Sequence, residues 1–203
     1  VRNFRDGGYY PANTLYKMTD TDENGNVTTT YKDRLGRTKM TNQAGAKTYY
    51  VHDDFGDLWA VLPPEASAAL EGTTTWTISS TTSQERIYKY TYDANTRLLS
   101  QKKVPGANAT LFYYDRLDRP VLSIDGNGFK SFTKYDILGR PVMSGKYKGA
   151  AVPTAAMGLY ETRNTTAPHY YTTTSAFPTD GNFDVYAVTY YDHYDVDGNG
   201  SLS

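Results

Sequence analysis

The sequence predicts a mainly β fold: a meander of β-hairpins with a period of ~20–22 residues and one or two short covering helices. Three observations carry that expectation. The first is a phrase built on Asp, found as "KDRLGR" at Asp33, "HDDFGD" at Asp53, "YDANTR" at Asp93, "YDRLDR" at Asp115 and "YDILGR" at Asp136. Its intervals are 20, 40, 22 and 21 residues, so the long one is two periods in which one copy has been replaced. The second is another set of turn signals, Gly25, Gly45, Gly106 and Gly128, each eight or nine residues ahead of a repeat Asp. The third is what lies between the turns: "NVTTTY", "KTYYV", "IYKYTY" and "TLFYY", short runs rich in β-branched and aromatic residues. Each period reads as strand, turn, strand, turn, which is one hairpin.

Each residue of the phrase has a physical reading as part of a corner. An Asp that opens a tight turn accepts backbone N–H bonds, and a Gly three residues later tolerates a left-handed conformation. Asp33 with Gly36, Asp53 with Gly56 and Asp136 with Gly139 follow that pattern. The Arg after the Gly position, as in Arg37, Arg97, Arg119 and Arg140, can reach back to its Asp or across to the next hairpin. The preceding Tyr92, Tyr114 and Tyr135 are expected over neighbouring strands. Pro120 and Pro141 follow an Arg directly and must sit where no ladder N–H is needed.

Two segments break the rhythm. "PPEASAALEG", residues 63–72, places Pro at the start and Gly just past the end of a short helix. "AAVPTAAMGLYE", residues 150–161, reads as a second short helix or helical turn, and "DVYAVTYY" beyond it as a strand. Both helical segments are expected to cover part of a sheet, which protects unpaired edges. The organisation that results is repeat hairpins over 1–62, an insertion with a helix over 63–88, and repeat hairpins over 89–147. A helix and loop segment with a closing strand follows over 148–203, the whole being one structural unit of a larger protein.

Composition narrows the function. The 203 residues are 38% hydrophobic, twenty are Tyr, and the net charge is -1. A rich supply of rings with a polar end suits half-buried sheets. The absence of a basic field argues against nucleic acid, and no run approaches the ~18 apolar residues of a membrane helix. There is no Cys, so disulfides and thiolate metal sites are excluded.

Specific chemistry is sparse. "DTDENGNV" (20–27) and "DVDGNGSL" (195–202) match the opening of a D-x-D-x-N-G calcium loop. The twelfth position holds Tyr31 in the first and lies beyond the chain in the second, so both read as hairpin turns, with Asp195, Asp197 and Asn199 the weaker metal candidates. His52, His169 and His193 are scattered without ligand spacing, and no nucleophile elbow, P-loop or G-x-G-x-x-G appears. The expectation is therefore a chain without catalytic residues or cofactor. Trp59 and Trp76, together with many Tyr flanked by Asp and Asn, are the candidates for a sugar-binding platform.

"YDRLDRPVLSIDGNG" and "YDILGRPVMSGKY" resemble the YD repeats of RHS-type proteins, large surface or secreted polypeptides of bacteria. "YVHDDFGDLWAVLPPEASAAL", "KKVPGANATLFYYDRLDRPVLSIDGNG" and "VTYYDHYDVDG" resemble in particular the RHS-repeat proteins of Bacteroidetes. The likeness runs from about Leu15 to Asp197. It implies a strip of hairpins that in full-length relatives spirals into a hollow shell, enclosing an effector in toxin complexes and serving cell-surface recognition in teneurins. It also implies a surface or secreted location, with the remainder of a longer chain and possible carbohydrate or cell-surface ligands as partners. The chain departs from the pattern where Lys32 and His52 replace the Tyr, Asp57 the Arg, and Thr96 and Asp118 the Gly.

Overall fold

The computed structural model describes residues 2–3, 8–71 and 85–191. Strands β1 (Arg2–Asn3) and β2 (Gly8–Tyr9) pair in a sheet of their own. Twelve further strands form an antiparallel meander in chain order. These are β3 (Tyr16–Thr21), β4 (Val27–Lys32), β5 (Thr38–Gln43), β6 (Ala46–His52), β7 (Leu58–Leu62), β8 (Tyr88–Tyr92), β9 (Leu99–Lys103), β10 (Thr110–Tyr114), β11 (Pro120–Ile124), β12 (Lys130–Tyr135), β13 (Pro141–Tyr147) and β14 (Phe183–Val188). The β-branched and aromatic runs singled out above lie in β4, β6, β8, β10 and β14. Pro120 and Pro141 stand at the first position of their strands, where a missing N–H costs least.

The meander carries a bulge in the same place in four hairpins. Register shifts between Tyr31 and Lys32, Val51 and His52, Tyr113 and Tyr114, and Lys134 and Tyr135, always one residue ahead of the repeat Asp. A bulge re-aims the side chain at that point. It is how the residue in the motif's Tyr position leaves the alternation of its strand.

The chain divides into two compact units. The first comprises Val1–Tyr92 with Gln101–Asn108. Its core joins Met40, Tyr49, Ala60 and Leu62 of β5 to β7 with Ile87 and with Ala66 and Leu70 of helix α1 (Pro64–Glu71). The helix begins at a Pro, as its sequence demanded. It is fixed by Ser67, whose hydroxyl donates to the Lys47 carbonyl at 2.7 Å, and by a 2.7 Å ion pair between Lys47 and Glu71.

The second unit comprises Asp93–Ser100 with Ala109–Ser203. Leu122, Phe132, Val142, Met143 and Tyr147 from β11 to β13 meet Tyr171 and Phe177 from the long β13–β14 connection. Tyr147 packs edge-on against Phe177 with centroids 5.0 Å apart, and Phe132 against Phe183 at 5.1 Å. Gly145 sits at a bulge where β13 meets β14, and a Cβ there would collide with the Asp184 carbonyl. The 150–161 segment is a single turn rather than a helix, closed by the Met157 N–H on the Thr154 carbonyl at 3.2 Å. Gly158 instead bonds across to the Ser175 carbonyl at 3.0 Å, so peptide groups that a helix would pair internally are paired across the connection.

Candidate functional site

The corner at Asp136 shows what the phrase does. The Asp136 N–H donates to the Arg140 carbonyl and the Gly139 N–H to the Asp136 carbonyl, both at 3.0 Å. Oδ1 of Asp136 accepts the N–H groups of Leu138 and Arg140 at 2.9 Å, and Oδ2 accepts Arg140 Nε at 2.7 Å. Gly139 closes the corner at φ 79°, a left-handed conformation that only residues without a bulky Cβ adopt freely. Burial opposes ionisation of Asp136, but the Arg140 amide and guanidinium outweigh it and hold the carboxyl below its usual range.

The other copies repeat this with local variation. Asp33 accepts Leu35 and Arg37 N–H groups at 3.0 and 2.9 Å and Arg37 Nε at 2.7 Å, with Gly36 in the left-handed position. At Asp115 the bonds come from Leu117, Arg119 and the Arg119 guanidinium, whose Nη2 lies 2.6 Å from Oδ2. There Asp118 itself takes φ 59°, which Asp tolerates better than most residues. Asp53 accepts Phe55 and Asp57 N–H groups at 3.0 and 2.9 Å, and Gly56 closes that corner. Asp93 opens a turn one residue longer, closed by its N–H on the Leu98 carbonyl at 2.8 Å. The sequence aligns Arg97 with the other arginines, but the longer loop places it in the left-handed corner, at φ 60°.

The Tyr links one corner to the one before it. Tyr135 donates its hydroxyl to the Pro120 carbonyl at 2.8 Å, while the Arg119 guanidinium lies over its ring at 4.4 Å. Tyr114 reaches the Leu99 carbonyl at 2.9 Å and Tyr92 the Leu58 carbonyl at 3.0 Å. Tyr191 completes the series: its hydroxyl donates to the Pro141 carbonyl at 3.2 Å and Arg140 covers its ring at 4.3 Å. Tyr191 lies in the "VTYYDHYDVDG" stretch that carries the resemblance, but the five aligned copies leave it out, although the Tyr191-Asp192 pair was the signal. Sequence reasoning also missed that Asp22 and Asp125 build the same corner at the opposite ends of their hairpins. Asp22 accepts Asn24 and Asn26 N–H groups at 3.0 and 2.8 Å, and Asp125 accepts those of Asn127 and Phe129 at 2.9 and 2.8 Å. An Asp three residues ahead of Gly25 and Gly128 was the cue. The 20–27 segment is accordingly a hairpin, with Asp20 inside β3.

Where His52 replaces the Tyr, a different contact appears. Lys39 Nζ lies 3.2 Å from His52 Nδ1 and 3.3 Å from Asp33 Oδ2. Burial, then the charges of Lys39 and Arg37, lower the His52 pKa below 6.5 against the pull of Asp33. A folded pKa below the unfolded value means that neutral His52 contributes stability above pH 6.5, which is lost as pH falls through the folded pKa. A His52→Tyr variant should therefore lose less stability than the parent between pH 7 and the acid limit of folding. Thermal melts across that range read this directly, and parallel curves for the two proteins would contradict it.

The second feature is a buried clamp with no sequence signature. Lys134 of β12 and Glu161 of the β13–β14 connection are both fully buried, with Nζ 2.7 Å from Oε1. The carbonyl oxygens of Thr173, Ala176 and Pro178 also lie 2.7–2.8 Å from Nζ, so its three N–H groups are shared among four acceptors. Glu161 accepts the Thr172 hydroxyl at 2.6 Å and the Ala176 N–H at 3.0 Å. Burial lowers the Lys134 pKa, opposed by Glu161. Every polar atom of the pair is used in holding the connection to the sheet.

The remaining candidates lie apart. Trp59 is partly buried against the first core, with Lys89 Nζ 5.7 Å above its ring. His169 is an exposed residue of a short turn at Pro168–Tyr170. Trp76, His193, Asp195, Asp197 and Asn199 fall outside the described residues. Among the described residues no group of three or more acidic or His side chains could hold a metal ion, and no helix is long and apolar enough to cross a membrane.

No family model matches the sequence, and no curated protein matches it. Among solved structures, the chain is similar to one in the crystal structure of TcdB2-TccC3-TEV, at 15% identity over 68% of this chain, with a TM-score of 0.49. It is also similar to a chain of the Photorhabdus luminescens Tc holotoxin pore carrying a TccC3 mutation, at 17% identity over 67%, with a TM-score of 0.45. The chain spans 8% and 7% of those two chains respectively.

Proposed function

We propose that this chain is a structural segment of a large RHS (YD-repeat) protein of a bacterial surface or secreted kind, contributing its hairpins to the wall of a shell. One observation carries the reading: a recurring Tyr–carbonyl contact that ties one corner to the one before it, joined by an Arg over the ring in Arg119, Tyr135 and Pro120 and again in Arg140, Tyr191 and Pro141. The polar groups of the motif are spent on one another. A recognition or catalytic surface needs such groups turned outward, toward a ligand. The reading is thus of a non-catalytic scaffold whose partner is the remainder of its own longer chain. The rival reading, a carbohydrate-binding module, has in Trp59 a ring partly buried against the first core with Lys89 above it.

A glycan-array screen of the purified chain separates the two, with a Trp59→Ala, Trp76→Ala variant beside it. The scaffold reading expects no glycan to be retained. Specific retention by the parent, lost in a folded double variant, would replace it with the binding reading.

A further inference from the structure

A cleft in the second unit, between the Asp115 corner and the β13–β14 connection, is absorbed by none of the roles above. Its inner part is a cavity of about 160 Å³ with apolar walls from Val121, Pro153, Met157, Leu159 and Phe177. That is close to the size of an apolar cavity that accepts a benzene ring (about 150 Å³). Arg116, Gly158 and Leu159 also line a wider mouth, shared with Tyr160, Thr162 and Ser175.

The charges at the cleft are nearly all neutralised within the chain. Asp115 is paired with the Arg119 guanidinium at 2.6 and 2.8 Å. Lys134 is consumed by Glu161 and three carbonyls. Arg116 is exposed and has no ion pair or hydrogen bond among the described residues, so the mouth carries one unused cation. A planar guanidinium recognises a carboxylate through two parallel bonds.

We propose that this cleft binds a one-ring aromatic carboxylate, its ring in the Val121–Met157–Phe177 cavity and its carboxylate on Arg116. Thr162 and Ser175 also line the mouth. The site goes beyond the scaffold role: the corner residues Tyr114, Asp115 and Tyr135 line part of the cavity, but the Arg116 side chain makes none of the corner contacts.

The test is a titration of protein labelled at its methionine methyls, followed by NMR, with phenylacetate, 2-phenylethanol and acetate as probes. Phenylacetate is expected to move the Met157 methyl saturably, 2-phenylethanol to bind about fivefold more weakly, and acetate to leave the methyl unmoved. Arg116→Gln, an exposed substitution that leaves the core untouched, should bring phenylacetate down to the affinity of 2-phenylethanol. No Met157 shift up to the solubility limit of phenylacetate would overturn the proposal. So would equal affinities for the charged and neutral probes, or an Arg116→Gln protein that binds phenylacetate as the parent does.

Discussion

Replacing Glu161 with alanine is expected to lower the free energy of unfolding by about 3–5 kcal/mol, the range found when one partner of a buried ion pair is removed. The pair is fully buried, so the Lys134 ammonium would keep only the three carbonyls of Thr173, Ala176 and Pro178 and no counter-charge. The Thr172 hydroxyl and the Ala176 N–H would lose their acceptor at the same time. Urea unfolding reads the loss as a lower midpoint at unchanged slope. A Lys134→Met, Glu161→Gln protein, with no buried charge left, should recover part of that stability. A loss below about 1 kcal/mol for the single substitution, at the level of an exposed pair, would mean that the connection is not held by this clamp.

The legible part of this molecule is the part governed by short-range rules. The strands and turns between β3 and β13 follow from β-branched and aromatic runs punctuated by Asp and Gly, because each hairpin closes over a few residues. Helix α1 was readable from its Pro and Gly brackets for the same reason. The 150–161 segment read as a helix or helical turn and is only a turn, since its alanines say nothing of the Ser175 carbonyl that Gly158 finds across the connection. Arg97 was aligned by letter with the other arginines, and a single extra residue in the loop moved it to a different position in its corner. The clamp was invisible: a Lys in one strand and a Glu 27 residues later in a loop form no pattern until the chain brings them together. Tyr191 was hidden by the 148–182 connection, which carries it far beyond one period from Asp136.

The recurring Asp opens a structural corner, and the second large effect is expected there. Asp136→Ala removes the acceptor for two backbone N–H groups and for Arg140 Nε, and should cost about 2 kcal/mol. Asp136→Asn keeps an oxygen for the Leu138 and Arg140 N–H groups but loses the charge facing the guanidinium, so about half that loss is expected. The measurement to make is the thermal unfolding of these two variants beside the parent. A graded fall, with alanine below asparagine and asparagine below the parent, is the predicted result. Melting temperatures unchanged in both would contradict the corner and return Asp136 to the pool of residues kept for a ligand.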